Sequence, residues 1–152
     1  MSNHEQVVSE SIIIDAPVRP IFDILADPRQ HSRIDGSGSV RGFITGPDRL
    51  SDGAQFGARM KLFGLPYRIT NQVVEFEEDA RIAWRHFGGH RWRYLLEPME
   101  DGATRVTEQF DYSRHTGLGA RGIEAAKFPA RNRSGIQQTL LKLKTSAEGD
   151  AG

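Results

Sequence analysis

The stretch from Leu118 to Lys144, LGARGIEAAKFPARNRSGIQQTLLKLK, carries the longest helical pattern in the chain and limits what the rest can pack against. Leu118, Gly122, Ala125, Pro129, Asn132 or Arg133, Ile136, Leu140 and Leu143 recur at spacings of three and four, which places them on one face of a helix. The stripe is uneven. Ile and Leu fill its C-terminal half, while Gly, Ala and Pro129 fill its N-terminal half. Large side chains bury apolar area against a neighbouring layer, whereas small ones leave room above it. Pro129 lacks an N–H and crowds the preceding turn, so a kink is expected there. Two readings follow: a lid packed firmly at one end and loosely over a cavity at the other, or an ordinary packed helix with a proline bend.

The segments before this helix read as strands. Val7 to Ile14 alternates and then closes on SIII, the pattern of a strand buried at its end. Asp15-Ala16-Pro17 stops it, and Ile21, Phe22, Ile24 and Leu25 make a short amphipathic helix opened by Pro17. Asp27-Pro28 starts a second short helix through His31, and Ser37 to Ile44 reads as a further strand before the turn-rich GPDRLSDG. From Gly53 a meander follows: Gln55–Phe63, Tyr67–Phe76, Arg81–Phe87, His90–Glu97 and Thr104–Tyr112, each separated by turn residues. A final AEGDAG is expected to fray. The fold class is α+β: a curved antiparallel sheet of about six or seven strands wrapped around a long C-terminal helix, with two short helices after the first strand. The 152 residues make one domain, ordered from about residue 6 to residue 145.

Composition excludes several functions. Twenty basic and twenty acidic residues balance, which argues against an electrostatic footprint for nucleic acid or an anionic membrane. With no Cys there is no disulfide framework and no thiolate chemistry. The N-terminus MSNHEQVVSE lacks signal-peptide features and no apolar run is long enough to span a bilayer, so a soluble, cytoplasmic protein is expected. No HExxH, paired-His spacing or acidic cluster suggests a metal, and no dinucleotide, P-loop or nucleophile-elbow motif suggests a cofactor or a triad.

The turns set a strand register. A Gly64-Leu65 turn places Ala58 opposite Asn71 and Met60 opposite Ile69. A four-residue turn at Glu77–Ala80 pairs Asn71 with His86 and Val73 with Trp84. A three-residue turn at Gly88–His90 sets His86 opposite Trp92 and Trp84 opposite Tyr94. The Glu100–Gly102 loop sets Tyr94 opposite Glu108 and Trp92 opposite Phe110. The inner face then carries Ala58, Asn71, His86, Trp92 and Phe110 in one row and Phe56, Val73, Trp84, Tyr94 and Glu108 in the next. Arg59, Lys61, Arg68, Arg85, Arg91, Arg93, Arg105 and Asp111 fall on a solvated outer face. An apolar, aromatic wall with a few convergent polar groups is the usual make-up of a small-molecule pocket. Its candidate ligand-binding residues are Phe56, Ala58, Met60, Asn71, Trp84, His86, Trp92, Tyr94, Glu108, Phe110 and Pro129. His86, oriented by Asn71, is either an acid/base group or a satisfied interior histidine. Glu108, facing inward, needs a partner such as Tyr94, Arg133 or Arg131, and reads either as a polar end to a pocket or as a structural ion pair. His31, Arg33 and Asp35 follow the short helices and read as loop residues; His4, His90 and His115 carry no assignment.

The element order, with ESIIIDAPVRPIFDILADPRQHSRID at the start, VVEFEEDARIAW in the middle and a last helix containing LLKLK, resembles the helix-grip fold of the START / Bet v 1-like (SRPBCC) superfamily, in its polyketide cyclase/dehydrase-like branch. The resemblance implies a domain that binds or transports a small hydrophobic, lipid-like or aromatic ligand between sheet and C-terminal helix, as a monomer or homodimer without cofactor, and it gives His31, Arg33 and Asp35 a second reading as the cavity entrance. It equally permits a cyclase, aromatase or dehydratase using His86 or Glu108 as acid/base with Tyr94 as a further catalytic candidate, and a regulatory, antitoxin-like protein partner. Its motifs mark structural turns and name no reaction.

Overall fold

The computed structural model describes residues 7–36, 40–62, 64–85, 90–112 and 128–151. Strands β1 (Val7–Ile14), β2 (Val40–Thr45), β3 (Gln55–Leu62), β4 (Leu65–Glu77), β5 (Arg81–Arg85), β6 (Arg91–Pro98) and β7 (Thr104–Asp111) form one antiparallel sheet in the order β1-β7-β6-β5-β4-β3-β2. Helix α1 (Val18–Leu25), a 3-10 turn (Pro28–Gln30) and α2 (His31–Ile34) connect β1 to β2, and α3 (Phe128–Ala151) closes the chain. This is the expected α+β helix-grip arrangement, with each strand of the meander beside its chain neighbour and β1 added outside β7.

Local chemistry explains the connections. Pro17 sits extended at the α1 N-cap, and Ile21, Phe22, Ile24 and Leu25 bury the inward face of that helix. The Asp27 carboxylate accepts from the Arg29 amide at 3.0 Å and so starts the 3-10 turn. Thr104, fully buried, donates its hydroxyl to the Ala16 carbonyl at 2.8 Å, tying the β1–α1 corner to β7. In α3, Ile136, Leu140, Leu143 and Ala147 are buried at spacings of four, three and four, and close the core over Ile14, Ile21, Phe22, Leu25 and Val106. Gly36 lets α2 approach α3: a Cβ there would lie 2.4 Å from the Thr139 nitrogen, and the Gly36 amide donates to Thr139 Oγ1 at 2.8 Å.

Three register expectations change. In the β3–β4 hairpin Leu62 pairs with Leu65, so Ala58 faces Ile69, Met60 faces Tyr67 and Phe56, not Ala58, faces Asn71. Gly64 takes φ +80 as the second turn residue, which releases Leu65 into the strand. The slip is of two residues, so every side chain keeps its face. Between β5 and β6, Trp84 faces Trp92 and Ile82 faces Tyr94. Trp84 therefore does not face Tyr94, and Trp92 has Trp84 as its partner; the expected partner His86 lies outside the described residues. Between β4 and β5 the expected Val73–Trp84 pair forms, but by another route. The turn is three residues, with Asp79 at φ +62, and a bulge between Val73 and Glu75 shifts the ladder by one. The β6–β7 pairs Tyr94–Glu108 and Trp92–Phe110 are as expected.

Two further corrections concern exposure. The C-terminal residues expected to fray are helical to Ala151, held by a two-bond Arg33–Asp150 pair at 3.0 Å and by Glu148, which accepts from the Asp15 amide at 2.8 Å. The outer face of the sheet is not simply solvated. Glu75 accepts from Arg91 at 2.8 Å and Arg93 at 2.7 Å, and Arg93 also reaches Asp111 at 3.1 Å, in a network of partly buried side chains.

Candidate functional site

Inward-facing residues on β3 to β7 converge beneath α2 and α3. Phe56, Ala58, Asn71, Tyr94, Glu108 and Phe110 are buried, and Met60, Trp84 and Trp92 are partly buried. His86 lies outside the described residues, as does the side chain of Pro129. The cross-strand Trp84–Trp92 pair joins two aromatic groups. On one side the Trp84 ring lies 5.7 Å from Phe56 and 5.6 Å from Tyr94. On the other, Phe110 lies 4.8 Å from Trp92 and 5.6 Å from Tyr112. His90, given no role from sequence, has its ring 5.3 Å from Phe110.

His31 is the residue that sequence reasoning placed least well. It is buried rather than a surface loop residue, stacks on Trp84 at 4.6 Å with the planes 17° apart, and meets Phe56 edge-on at 5.2 Å. Its Nε2 lies 2.9 Å from the Leu25 carbonyl oxygen. A carbonyl only accepts, so Nε2 carries the proton, and neutral His31 has its lone pair on Nδ1. Burial lowers its pKa, opposed by the Leu25 bond and by Asp27 and Asp35. The only advance signal was position: His31 follows Leu25 by six residues, across a proline turn that folds it back under α1.

Glu108 is the polar centre of the site. It is 3% exposed, and burial pushes its carboxyl well above the usual carboxylate range; the charge of Asp35 adds to that shift and a hydrogen bond from Tyr94 opposes it. Tyr94 is likewise pushed well above the ordinary phenol value by burial, with Glu108 and Asp35 contributing. Burial thus favours the carboxylic acid, the phenol and the neutral imidazole, each the uncharged form of its group. Arg133 does not serve Glu108. It pairs with Glu10, which faces Glu108 across the β1–β7 ladder and also accepts from Gln137 at 3.0 Å. Asp35 is anchored at the α2 C-terminus, where its Oδ2 accepts from the Val40 amide at 2.9 Å.

On the inner face two buried oxygens, Glu108 Oε1 and Asn71 Oδ1, have no hydrogen-bonding partner among the described residues. In chemical terms the wall offers aromatic faces, an acid proton at Glu108 and amide functionality at Asn71. No cluster of potential metal ligands occurs among the described residues, and no described helix is long and apolar enough to cross a membrane.

The family described as polyketide cyclase / dehydrase and lipid transport matches residues 5–148. Uncharacterized protein Rv0088 of Mycobacterium tuberculosis is 45% identical over 138 residues, covering 90% of this chain and 62% of its own length, so the chain spans less than two thirds of that relative. Among solved structures, NE0264 from Nitrosomonas europaea aligns with a TM-score of 0.72 at 16% identity, over 98% of each chain. The AHSA1-like protein from Aeromonas hydrophila aligns with a TM-score of 0.64 at 21% identity, over 93% of each. At these identities the two structures establish a common fold.

Proposed function

The chain belongs to the polyketide cyclase / dehydrase and lipid transport family, and from that membership we propose that it binds a small hydrophobic molecule, lipid-like or aromatic and polyketide-like, between the sheet and α3. Trp84, Trp92 and Phe110 offer it an aromatic wall, continued by Phe56, Ala58 and Met60. The Glu108 acid donates to a ligand carbonyl or hydroxyl, and Asn71, with His86 and Pro129 as the remaining expected contacts, meets a polar group further along. The observation that carries this reading is the buried Glu108 Oε1 without a partner among the described residues, on a face otherwise apolar. Leaving such an atom unpaired costs about 1–3 kcal/mol, which a ligand oxygen accepting from the acid would offset.

Native mass spectrometry of the purified chain, followed by denaturing extraction, tests the reading. A bound small molecule is expected, with occupancy reduced in Trp84→Ala and Glu108→Gln. An apo mass together with no thermal shift across aromatic and lipid probes would refute it. One observation favours a second, enzymatic reading. Because burial favours the protonated form of Glu108, it suits a general acid that protonates a leaving hydroxyl in a dehydration better than a base that starts an enolisation. Under that reading Glu108→Gln keeps the ligand and loses turnover; under simple binding, occupancy alone changes.

A further inference from the structure

Nine arginines in the described chain each pair with an Asp or Glu. Arg41, Arg59, Lys61 and Arg68 form no such pair among the described residues and are exposed. They gather where β2, β3 and β4 meet. Arg59 and Arg68 are direct cross-strand partners on the outer face, and Lys61 lies two residues further toward the hairpin turn on that same face. No Asp or Glu occurs between Gln55 and Val74, so the balanced charge of the whole chain hides a local cationic patch. Like charges directly opposite one another destabilise a ladder unless a counter-charge approaches. At the turn, Leu65 is 71% exposed, more than the other exposed large apolar side chains, Leu141 at 50% and Ile13 at 44%, and Pro66 beside it is exposed.

We propose that the tip of the β3–β4 hairpin docks on an anionic lipid bilayer, with Leu65 and Pro66 entering the interface and Arg59, Lys61 and Arg68 meeting headgroup phosphates. An apolar tip rimmed by cations is the chemistry that interfacial binding uses: the apolar group gains from leaving water, and each cation gains from the surface potential. Nucleic acid would use the cations but has no place for Leu65. In the antiparallel sheet this turn lies at the end where β7 runs out toward α3. Docking would therefore bring the bilayer to that end of the inner face.

Flotation of the full chain with phosphatidylcholine vesicles, with and without roughly a third phosphatidylglycerol, tests the proposal. Binding is expected to the anionic vesicles and to weaken as salt rises toward roughly 0.5 M. Neutralising one cation should weaken it about fivefold, so Arg59→Gln/Arg68→Gln should lose about thirtyfold; Leu65→Ser should lose about tenfold or more. Arg105→Gln, which removes an exposed outer-face cation paired with Glu97, should bind as wild type. All substituted residues are exposed, and unchanged circular dichroism and melting would exclude misfolding as the cause. Equal binding to both vesicle types, an unaffected Arg59/Arg68 variant, or capture of duplex DNA without vesicle binding would each overturn the proposal. Arg59 and Arg68 lie on the outer face and Leu65 at the hairpin tip, outside the residues proposed to meet the ligand, so ligand retention reads the proposed binding function separately.

Discussion

Replacing Glu108 with Gln should make the protein more stable as pH rises, by an amount that follows from the buried carboxyl. In the unfolded chain Glu108 ionises near pH 4.3. In the folded chain burial holds it protonated to well above the ordinary value. Between those two points the unfolded state releases a proton that the folded state keeps, so wild-type stability falls with pH by about 1.4 kcal/mol per unit. The contribution is fully present below the unfolded value and is lost as pH rises toward the folded one. Gln keeps the shape and can still bond Tyr94, but has nothing to ionise. Tyr94, Asp35 and Glu10 face the group in both proteins, so their own effects largely cancel in the difference. Urea unfolding of both proteins in half-unit steps from pH 4 upward measures it. The two should agree within about 1 kcal/mol near pH 4, then diverge by about 1 kcal/mol over the first unit above the unfolded value and by about 1.4 kcal/mol per unit beyond it while the folded carboxyl keeps its proton. For a domain of this size that is a melting difference of about 3–6 °C. Parallel stability profiles across the whole range would refute the claim that Glu108 folds as a buried acid.

Two other outcomes are expected. Gly36→Ala should destabilise the fold by about 1–3 kcal/mol in thermal unfolding, because its Cβ would fall 2.4 Å from the Thr139 backbone nitrogen and α2 would have to move off α3; an unchanged melting temperature would show that the contact yields freely. Glu75→Gln should cost about 1–2 kcal/mol near pH 6, allowing for solvent screening, and only a small part of that near pH 2. The bonds from Arg93 and Arg91 hold the Glu75 carboxyl at about 2, so its contribution is present above the unfolded value and lost as acid approaches the folded one. A variant whose stability runs parallel to wild type through the acid range would remove that assignment.

Much of the site could be read in advance because strand alternation sorts side chains by face, and a register slip of two residues preserves the sorting. That is why Phe56, Asn71, Tyr94 and Glu108 still share the inner face although Asn71 pairs with Phe56 rather than Ala58. The neighbours across the ladder were less legible. The Val73–Trp84 pair emerged from a four-residue turn in expectation and from a three-residue turn plus a bulge in fact. Bulges depend on how a strand must bend over the core, and nothing at Val74 announces one. His31 was missed for a related reason: its burial on Trp84 requires the path of α1, the Pro28 turn and β5 together.

By itself the sequence determined the element order, the antiparallel meander, the inward and outward sets of residues and the apolar stripe of the last helix. These rest on periodicity, turn chemistry and chain connectivity, which act over a few residues. Tertiary structure alone decided which groups meet at long range. It brought His31 onto Trp84, gave Arg133 to Glu10 instead of Glu108, closed α3 against Gly36 and Arg33, and left Arg59, Lys61 and Arg68 without carboxylate partners among the described residues. Charge and burial depend on distance in space, and that distance is set only when helices and sheet pack around a common core.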